Sequence, residues 1–291
     1  MKSISTIAVL GAGTMGRGIA QVAAQGGYAT HLFDVAAGML DKARQNVERN
    51  LEKGVKLGKV AAADAEAARG RLAFENDLGT AVADADLVIE AVPEQMPLKV
   101  ETFAAVAKAC PAETLFASNT SGLSITEIAA ASGRADRFAG MHFFNPVHLM
   151  KLVELVRGLE TSEATLAAMA EVAARMGKEV VVVREAPGFV TSRINALIGN
   201  EAFRMLETGV ASAEDIDKAL KLGLNHPMGP FEMVDLVGLD VRYSILQHLH
   251  ATLGETYRPA NLLAQYVKAG RLGRKSGKGV YVYDEEGNRI G

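Results

Sequence analysis

Residues 4–34 read ISTIAVLGAGTMGRGIAQVAAQGGYATHLFD, and this stretch decides the fold. A β-branched apolar run ends on a glycine turn, good helix formers follow as far as Gly26-Gly27, and a second apolar run ends on Asp34. The first and last runs are typical of buried strands, and the segment between them is typical of a helix closed by glycine. The sequence therefore predicts a βαβ unit with two parallel strands.

The turn GAGTMG at 11–16 matches the pattern GxGxxG and lies between the predicted strand and the predicted helix. In a dinucleotide-binding turn of this kind, Gly11 makes the tight bend and Gly13 lets the backbone approach a pyrophosphate. Gly16 allows the helix to pack closely on the strand. The alternative is an incidental glycine turn in an α/β protein.

Two further features favour a bound dinucleotide. Thr14 and Met15 lie at the start of the predicted helix, whose free N–H groups and positive dipole end attract phosphate. Asp34 ends the next strand, where a carboxylate can hydrogen-bond both ribose hydroxyls of the adenosine and repel a 2′-phosphate. We therefore predict that the cofactor is NAD rather than NADP.

Strand and helix patterns keep alternating as far as KEVVVVR at 178–184, with continuous apolar strands. This alternation predicts an α/β fold, a Rossmann-type doubly wound sheet that is mostly parallel. Residues 35–69 have helical apolar spacing but are longer than one crossover helix requires. We expect a pair of helices there that projects from the sheet.

Strand patterns nearly stop after REAPGF at 184–189. We therefore predict two domains, an NAD-binding domain over 1–186 and an all-α domain over 187–291, the latter with one long helix over 229–254. A helical domain of this size is expected to bury one face against something. A partner subunit is a natural candidate to cover that face, and we expect the domain to form one wall of a substrate cleft.

The composition excludes several classes of protein. The net charge of -3 argues against nucleic-acid binding driven by bulk charge, and Cys110 as the single cysteine forms neither an intrachain disulfide nor a zinc cluster. We expect no metal site. The N-terminus does not read as a signal peptide, and no window is apolar for 18 or more residues. We therefore expect a cytoplasmic protein without a membrane partner.

The stretch GMHFFNPVHLMKLVELV at 140–156 places His142 and Glu154 inside apolar runs that read as strands. A histidine in such a run is more often structural than catalytic. Ligands of doubly wound folds, however, bind at the carboxyl ends of the strands, and His142 lies near such an end. A buried carboxylate needs a partner, and a turn at FFNPVH can pair the two strands. Glu154 would then orient the imidazole for acid–base chemistry.

A second polar cluster, SNTSGLS at 118–124, also follows a predicted strand. Its side chains, including Asn119 and Ser121, cluster hydrogen-bond donors and acceptors at the ligand edge of the sheet. We expect Asn119 to contact the cofactor, and we interpret Ser124 as a helix cap. For any one of these residues a capping role is as plausible as a functional one.

Lysines on the predicted helical pair form a third set of candidates, namely Lys53, Lys56 and Lys59. They are usually a solvated face, but they can also hold the phosphates of a large acyl carrier. The basic segment GRKSGKG at 273–279 has the same two interpretations.

Segments along almost the whole chain together resemble the 3-hydroxyacyl-CoA dehydrogenase family, and most of all its short single-function bacterial form. These segments are GAGTMG, IEAVPE, SNTSGLSIT, GMHFFNPVHLMKLVELV, PGFV, KLGLNHPMGPFEMVDLVGLD and GRKSGKGVYVY. The resemblance implies reversible oxidation of an (S)-3-hydroxyacyl-CoA, of short chain as in 3-hydroxybutyryl-CoA, with hydride passing to NAD. It also implies a dimer built on the helical domain.

The resemblance gives roles to individual residues. His142 matches the family's catalytic histidine, Glu154 its acidic partner, and Ser121 the serine that hydrogen-bonds the substrate oxygen. Other matches line the cofactor site, and Asn145 among them also borders the substrate; they are Glu94, Lys99, Asn145 and Lys275.

One position departs from the family's pattern. The family often has asparagine in PGFxxNR, which contacts the substrate thioester region and the histidine, whereas this chain has PGFVTSR. Ser192 therefore takes that place with a shorter hydrogen-bonding side chain, and we predict that it is a catalytic residue that helps Ser121 to position the substrate oxygen. Two other functions stay open at this point. One is a two-domain dehydrogenase of a free 3-hydroxy acid or of 6-phosphogluconate, although no lysine motif for proton transfer stands out. The other is an NAD-binding protein without turnover, since fold alone does not fix function.

Overall fold

The computed structural model describes residues 3–290, and the chain divides into two units, Met1–Glu185 and Ala186–Gly291. The first unit holds one sheet of eight strands. The strands are β1 (Thr6–Leu10), β2 (Ala29–Phe33), β3 (Leu72–Glu75), β4 (Leu87–Glu90), β5 (Leu115–Ser118), β6 (Phe138–Phe143), β7 (Leu152–Arg157) and β8 (Glu179–Arg184).

Seven α-helices belong to the first unit and five to the second among the described residues. In the first unit they are α1 (Thr14–Gln25), α2 (Ala37–Lys56), α3 (Ala62–Gly70), α4 (Leu78–Val82), α5 (Met96–Ala109), α6 (Ile125–Ala131) and α7 (Glu163–Arg175). In the second they are α8 (Thr191–Glu207), α9 (Ala213–Gly223), α10 (Pro230–Val237), α11 (Leu239–Leu253) and α12 (Asn261–Lys268).

The sheet has the strand order β3-β2-β1-β4-β5-β6-β7-β8. Neighbouring strands are parallel except β6 and β7, which are antiparallel. The connections reverse direction between β1 and β4, and in doubly wound sheets a ligand binds in the crevice at that point. The predicted fold class, a Rossmann-type doubly wound sheet that is mostly parallel, is confirmed.

The opening βαβ unit folds as its sequence predicts. All five residues of β1 are buried, and Ile19 and Val22 of α1 pack into the same core. Gly11 has φ +98°, a conformation that favours glycine, and a Cβ on Gly16 would lie 1.7 Å from the Gly11 carbonyl oxygen. Glycine at both positions therefore lets α1 begin directly against the end of β1.

The predicted helical pair over 35–69 is confirmed as α2 and α3. Val47 and Leu51 of α2 pack with Ala65 of α3 in a small core of their own. The strand β3 and the helix α4 that follow were not predicted. Each spans only four or five residues, too few for a periodic apolar pattern to show.

The second unit has a separate core in which aromatic rings pack at close range, as Phe203 does against Phe231 with centroids 5.2 Å apart. The prediction of one helix over 229–254 is wrong. The chain forms α10 and α11, separated at Gly238, where φ is +109°. The apolar pattern runs on across this break, so hydrophobic periodicity alone does not reveal it.

The second unit is also not purely helical, because isolated β-bridges connect residues 273–289 near its end. Asp235 at the end of α10 accepts hydrogen bonds from the backbone N–H groups of Val280 and Tyr281 and from the Tyr283 hydroxyl. One of the isolated bridges is antiparallel and joins Tyr283 to Arg289. None of the helices within residues 3–290 is long and apolar enough to cross a membrane.

Candidate active site

The antiparallel pair β6 and β7 places His142 directly opposite Glu154. The imidazole Nδ1 lies 2.8 Å from the carboxylate Oε2, and the two residues are only 5% and 1% exposed. With Nδ1–H donating to the carboxylate, Nε2 of the neutral ring is left as an acceptor. The predicted spatial pairing of these two residues is thus present, with the far nitrogen set up as a base.

Ser121 stands at the far side of the same ring. Its hydroxyl oxygen lies 3.2 Å from His142 Nε2, whereas the residue as a whole is exposed. Ser121, His142 and Glu154 therefore form a hydrogen-bonded series that runs from the surface into the sheet. A base oriented by a buried carboxylate and reachable from outside is the arrangement that acid–base catalysis requires.

Hydrogen bonds to the Glu94 carboxylate fix the loop that carries Ser121. One oxygen of this carboxylate accepts hydrogen bonds from the Thr120 hydroxyl at 2.5 Å and from the Ser121 backbone N–H at 3.0 Å. The Thr120 oxygen in turn accepts from the backbone N–H of Leu123 at 2.9 Å. The side chain at 124 accepts from Glu127 N–H, so Ser124 is the N-cap of α6 as predicted.

Asn119 joins the ends of two neighbouring strands. Its side-chain oxygen accepts a hydrogen bond from the Phe143 backbone N–H at 2.9 Å, one residue after His142. The structure therefore gives Asn119 a role in fixing the end of β6, and its predicted contact with the cofactor stays a prediction.

Glu90 was missed at the level of sequence, although it ends the switch-point strand β4 and is fully buried. It accepts hydrogen bonds from Lys99 Nζ at 2.7 Å, from the Val92 N–H at 2.7 Å and from the Ser118 hydroxyl at 2.6 Å. Burial raises the pKa of Glu90, and the positive charge of Lys99 opposes that shift. The signal that revealed Glu154, a carboxylate inside an apolar strand, is equally present in LVIE at 87–90.

Lys99 is also fully buried, and its ammonium lies 3.2 Å from Glu94 Oε2 in addition to its bond with Glu90. Glu94 is 46% exposed, so it is the outermost of the three charged groups. The direct cofactor contacts that the resemblance implies for Lys99 and Glu94 stay predictions. In the structure, both side chains are engaged with the protein.

The glycine turn leaves space for a dinucleotide, and the turn and Asp34 offer hydrogen-bonding groups to it. A Cβ built on Gly13 meets nothing within 4 Å, and the helix that follows has neither a side-chain cap nor an acidic residue in its first turn. Its N–H groups are thus available to phosphate. Asp34 accepts from the backbone N–H groups of Ala12 and Ala36, one at each oxygen, which leaves lone pairs for the ribose hydroxyls. These residues fit NAD.

A cavity of about 820 Å³ opens between α1, the end of α2 and the β6–β7 connection. Lys53 lines it, as do further basic residues, whereas Lys56 borders a smaller depression with Arg69 instead. The basic residues lining the large cavity are Lys53, Lys59, His148, Lys151, Arg175 and Lys178. Such a set attracts anionic groups.

Lys178 shapes the wall of this cavity. Its ammonium donates to the carbonyl oxygens of Val147 at 2.5 Å and Met150 at 2.8 Å. Burial lowers the pKa of Lys178. Asn145 is exposed at the start of this β6–β7 connection and precedes a cis bond to Pro146, and its predicted contacts with cofactor and substrate stay predictions.

Ser192 and Lys275, which complete the predicted set, lie in the second unit. Ser192 is the second residue of α8 and is partly exposed. The Lys275 ammonium pairs with Asp240 at 2.6 Å. Their predicted functional roles stay predictions. Over residues 3–290, there is no group of three or more His, Cys, Asp or Glu side chains that could hold a metal ion.

Comparison with protein families gives two adjacent matches that span nearly the whole chain. Residues 6–186 match the 3-hydroxyacyl-CoA dehydrogenase NAD binding domain, and residues 188–283 match the C-terminal domain of the same family. The chain belongs to the 3-hydroxyacyl-CoA dehydrogenase family. It is therefore an oxidoreductase, and NAD is its cofactor, as the glycine turn and Asp34 predict.

Individual members of the family are similar over most of their length. A probable 3-hydroxybutyryl-CoA dehydrogenase of Bacillus subtilis is 45% identical, over 97% of this chain and 99% of the relative. The human mitochondrial hydroxyacyl-coenzyme A dehydrogenase is 40% identical, over 96% of this chain and 91% of the relative. The crystal structure of an (S)-3-hydroxybutyryl-CoA dehydrogenase from Ralstonia eutropha has a TM-score of 0.94 and 43% identity, over 97% of this chain and all of that one.

Proposed function

We propose that this 3-hydroxyacyl-CoA dehydrogenase oxidises short-chain (S)-3-hydroxyacyl-CoA, with 3-hydroxybutyryl-CoA as the first candidate. The observation that carries this proposal is the series Ser121–His142–Glu154, in which a buried carboxylate orients an imidazole whose far nitrogen faces a hydroxyl. The names of the Bacillus subtilis and Ralstonia eutropha relatives support the short acyl chain.

In the proposed reaction, His142 Nε2 removes the proton from the 3-hydroxyl group. NAD, when bound, accepts the hydride that leaves carbon 3. Loss of that proton and hydride turns the alcohol into the ketone of the 3-oxoacyl thioester. Glu154 stabilises the imidazolium that forms, and Ser121 donates a hydrogen bond that positions the substrate oxygen. In the reverse direction the imidazolium returns the proton.

For the coenzyme A part of the substrate we propose the basic cavity in which Lys53 lies. Its wall includes Pro146, four positions after His142, and it carries several cationic side chains and no acidic one among its lining residues. The predicted phosphate role is therefore kept for Lys53 and Lys59, which both line the cavity. For Lys56 the structure adds no support.

We propose that two copies of the chain associate through the second unit, in the cytoplasm. Large apolar side chains on that unit are exposed, including Val210 at 67%, Leu222 at 77% and Leu224 at 66%. Association would remove such surface from water. Sedimentation velocity on the full chain should give the mass of a dimer, and a concentration-independent monomer would contradict this part of the proposal.

Reduction of NAD, followed by absorbance, tests the reaction. We expect turnover with (S)-3-hydroxybutyryl-CoA, slower turnover with longer chains up to C16, and little with free 3-hydroxybutyrate or with NADP. Binding of NAD without turnover of any thioester would overturn the proposal in favour of a non-catalytic NAD-binding protein.

A shortened thioester separates the coenzyme A site from the chemistry. Lys53→Ala should raise KM for the CoA substrate several-fold, leaving kcat and the KM for the N-acetylcysteamine thioester unchanged. Lys56→Ala is the matched control, one helical turn away. An equal KM change with both thioesters would remove Lys53 from phosphate binding.

A further inference from the structure

Three charged side chains link the interior of the sheet to the loop that carries Ser121. Glu90 ends β4, Lys99 lies in the first turn of α5, and Glu94 lies in the turn between them. We propose that Glu90 and Lys99 are positioning residues for the reaction. They hold Glu94, and Glu94 holds Ser121 against His142. This inference rests on the proposed role of Ser121 and His142.

Each link in this series is a hydrogen bond or an ion pair. Glu90 Oε1 accepts from Lys99 Nζ at 2.7 Å, and the same ammonium lies 3.2 Å from Glu94 Oε2. The other oxygen of Glu94, Oε1, accepts from the backbone N–H of Ser121 at 3.0 Å. The Ser121 hydroxyl then lies 3.2 Å from His142 Nε2.

Burial decides what Lys99 can do. Its side chain is fully buried between two carboxylates, so in this structure its ammonium is linked to the loop of Ser121 through Glu94. Burial of Glu90 is tolerated because its two oxygens accept from an ammonium, a backbone N–H and the Ser118 hydroxyl. The inner end of the series is therefore rigid.

Glu94 is the link that can move, because it is 46% exposed whereas the other two carry no exposed surface. The ion pair at Oε2 fixes the rotamer that presents Oε1 to the loop. Without the ammonium, solvation would compete for this carboxylate, and the Ser121 backbone would lose its acceptor. A catalytic group displaced by about 1 Å can lose on the order of 100-fold in rate.

A double-mutant cycle tests the series in the full-length enzyme. Lys99→Met keeps the length of the side chain and removes the charge, and we expect it to lower kcat about as much as Ser121→Ala does. The double variant should be no slower than Ser121→Ala alone, since both changes act on one contact. Effects of the two changes on kcat that multiply in the double variant would overturn the proposal.

A spectroscopic readout keeps the test independent of turnover. In protein labelled with ¹⁵N-histidine, the Nε2 signal of His142 is identified by its loss in His142→Gln. Without any substrate, Lys99→Met should shift that signal in the same direction as Ser121→Ala, and Lys99→Arg should restore most of its position. An unmoved signal in Lys99→Met would contradict the inference even if the enzyme were active on a different substrate.

A double variant without either charge tests the proposal even if Lys99→Met alone does not fold. Lys99→Met alone leaves the Glu90 charge buried, which can prevent folding. Glu90→Gln/Lys99→Met removes both charges and keeps an acceptor for Ser118. If the pair only stabilised the fold, this variant would show the wild-type signal of His142 and wild-type kcat. If it positions Glu94, the variant should show the shifted signal and the lowered kcat.

Discussion

His142 and Glu154, twelve residues apart in sequence, face each other across the antiparallel strands β6 and β7, with Nδ1 and Oε2 separated by 2.8 Å. The remaining strands on the other side of β6 are parallel to it, so the antiparallel turn occurs at the edge where ligands bind. The pair is thus buried at one end and open at the other, where Ser121 meets the ring.

The first prediction concerns the base itself. His142→Gln should lower kcat by about 10²–10⁴-fold, because a positioned general base contributes that much. NADH binding should survive, since the glycine turn is untouched. Steady-state rates and fluorescence titration measure the two effects, and exposed His248 gives the control substitution His248→Gln. Ordinary turnover in His142→Gln would remove this residue from the chemistry.

The second prediction separates orientation from packing at Glu154. Glu154→Gln keeps an acceptor for the Nδ1–H but loses the charge, so kcat should fall while stability changes little. Glu154→Ala leaves the buried ring nitrogen without a partner and should also lower the free energy of unfolding by roughly 1–3 kcal/mol. Urea denaturation and steady-state kinetics of both variants check this. Equal stability of the two variants would count against a buried hydrogen bond at this position.

The third prediction contrasts two glycines of one turn. A Cβ at Gly13 meets no atom within 4 Å, so Gly13→Ala should fold normally and bind NAD more weakly. A Cβ at Gly16 would lie 1.7 Å from a carbonyl oxygen, so Gly16→Ala should cost at least the roughly 1–3 kcal/mol of an overpacked site. Thermal unfolding with and without NAD measures both. A destabilised Gly13→Ala would mean that this glycine serves the fold instead of the cofactor.

The fourth prediction concerns cofactor choice. Asp34→Ser removes the charge that opposes a 2′-phosphate, so the ratio of kcat/KM for NAD to that for NADP should fall by at least tenfold. The variant should also lose some stability, because Asp34 accepts from the N–H groups of Ala12 and Ala36. Rates with both cofactors check the ratio. A preference for NAD that stays unchanged would assign the selectivity to other residues.

The fifth prediction is a pH dependence of stability. Burial and the neighbouring carboxylates of Asp217 and Asp235 raise the pKa values of Tyr281 and Tyr283 above 10. Because the folded state keeps these protons longer, the unfolded state ionises first as pH rises above about 10, and stability falls there. The slope that each tyrosine contributes approaches about 1.4 kcal/mol per pH unit as the unfolded state ionises above pH 10, and it vanishes below about pH 9.

Phenylalanine variants isolate this slope. Tyr281→Phe and Tyr283→Phe should each flatten the alkaline loss of unfolding free energy between pH 10 and 11 relative to the wild type. Tyr266→Phe, at a partly exposed position on α12, is the matched control. An alkaline slope that is the same in all variants would show that other groups cause it.

Short-range patterns in the sequence determined much of this protein. Strand, glycine turn, helix and acidic residue follow one another within residues 4–34. Because each feature is local, the βαβ unit and NAD as the cofactor were predictable. The same holds for the helical pair, whose spacing repeats over many turns. The family followed from motifs spread over the whole chain.

Only the tertiary structure decided which polar residues act together. Glu90 and Lys99 lie far from Ser121 and His142 in sequence, and the parallel order of β4, β5 and β6 brings them into one hydrogen-bonded series. The break at Gly238 was hidden because apolar side chains continue on both sides of it. Periodicity reports which face of an element is buried, whereas partners across a sheet depend on register, and register is a property of the folded chain.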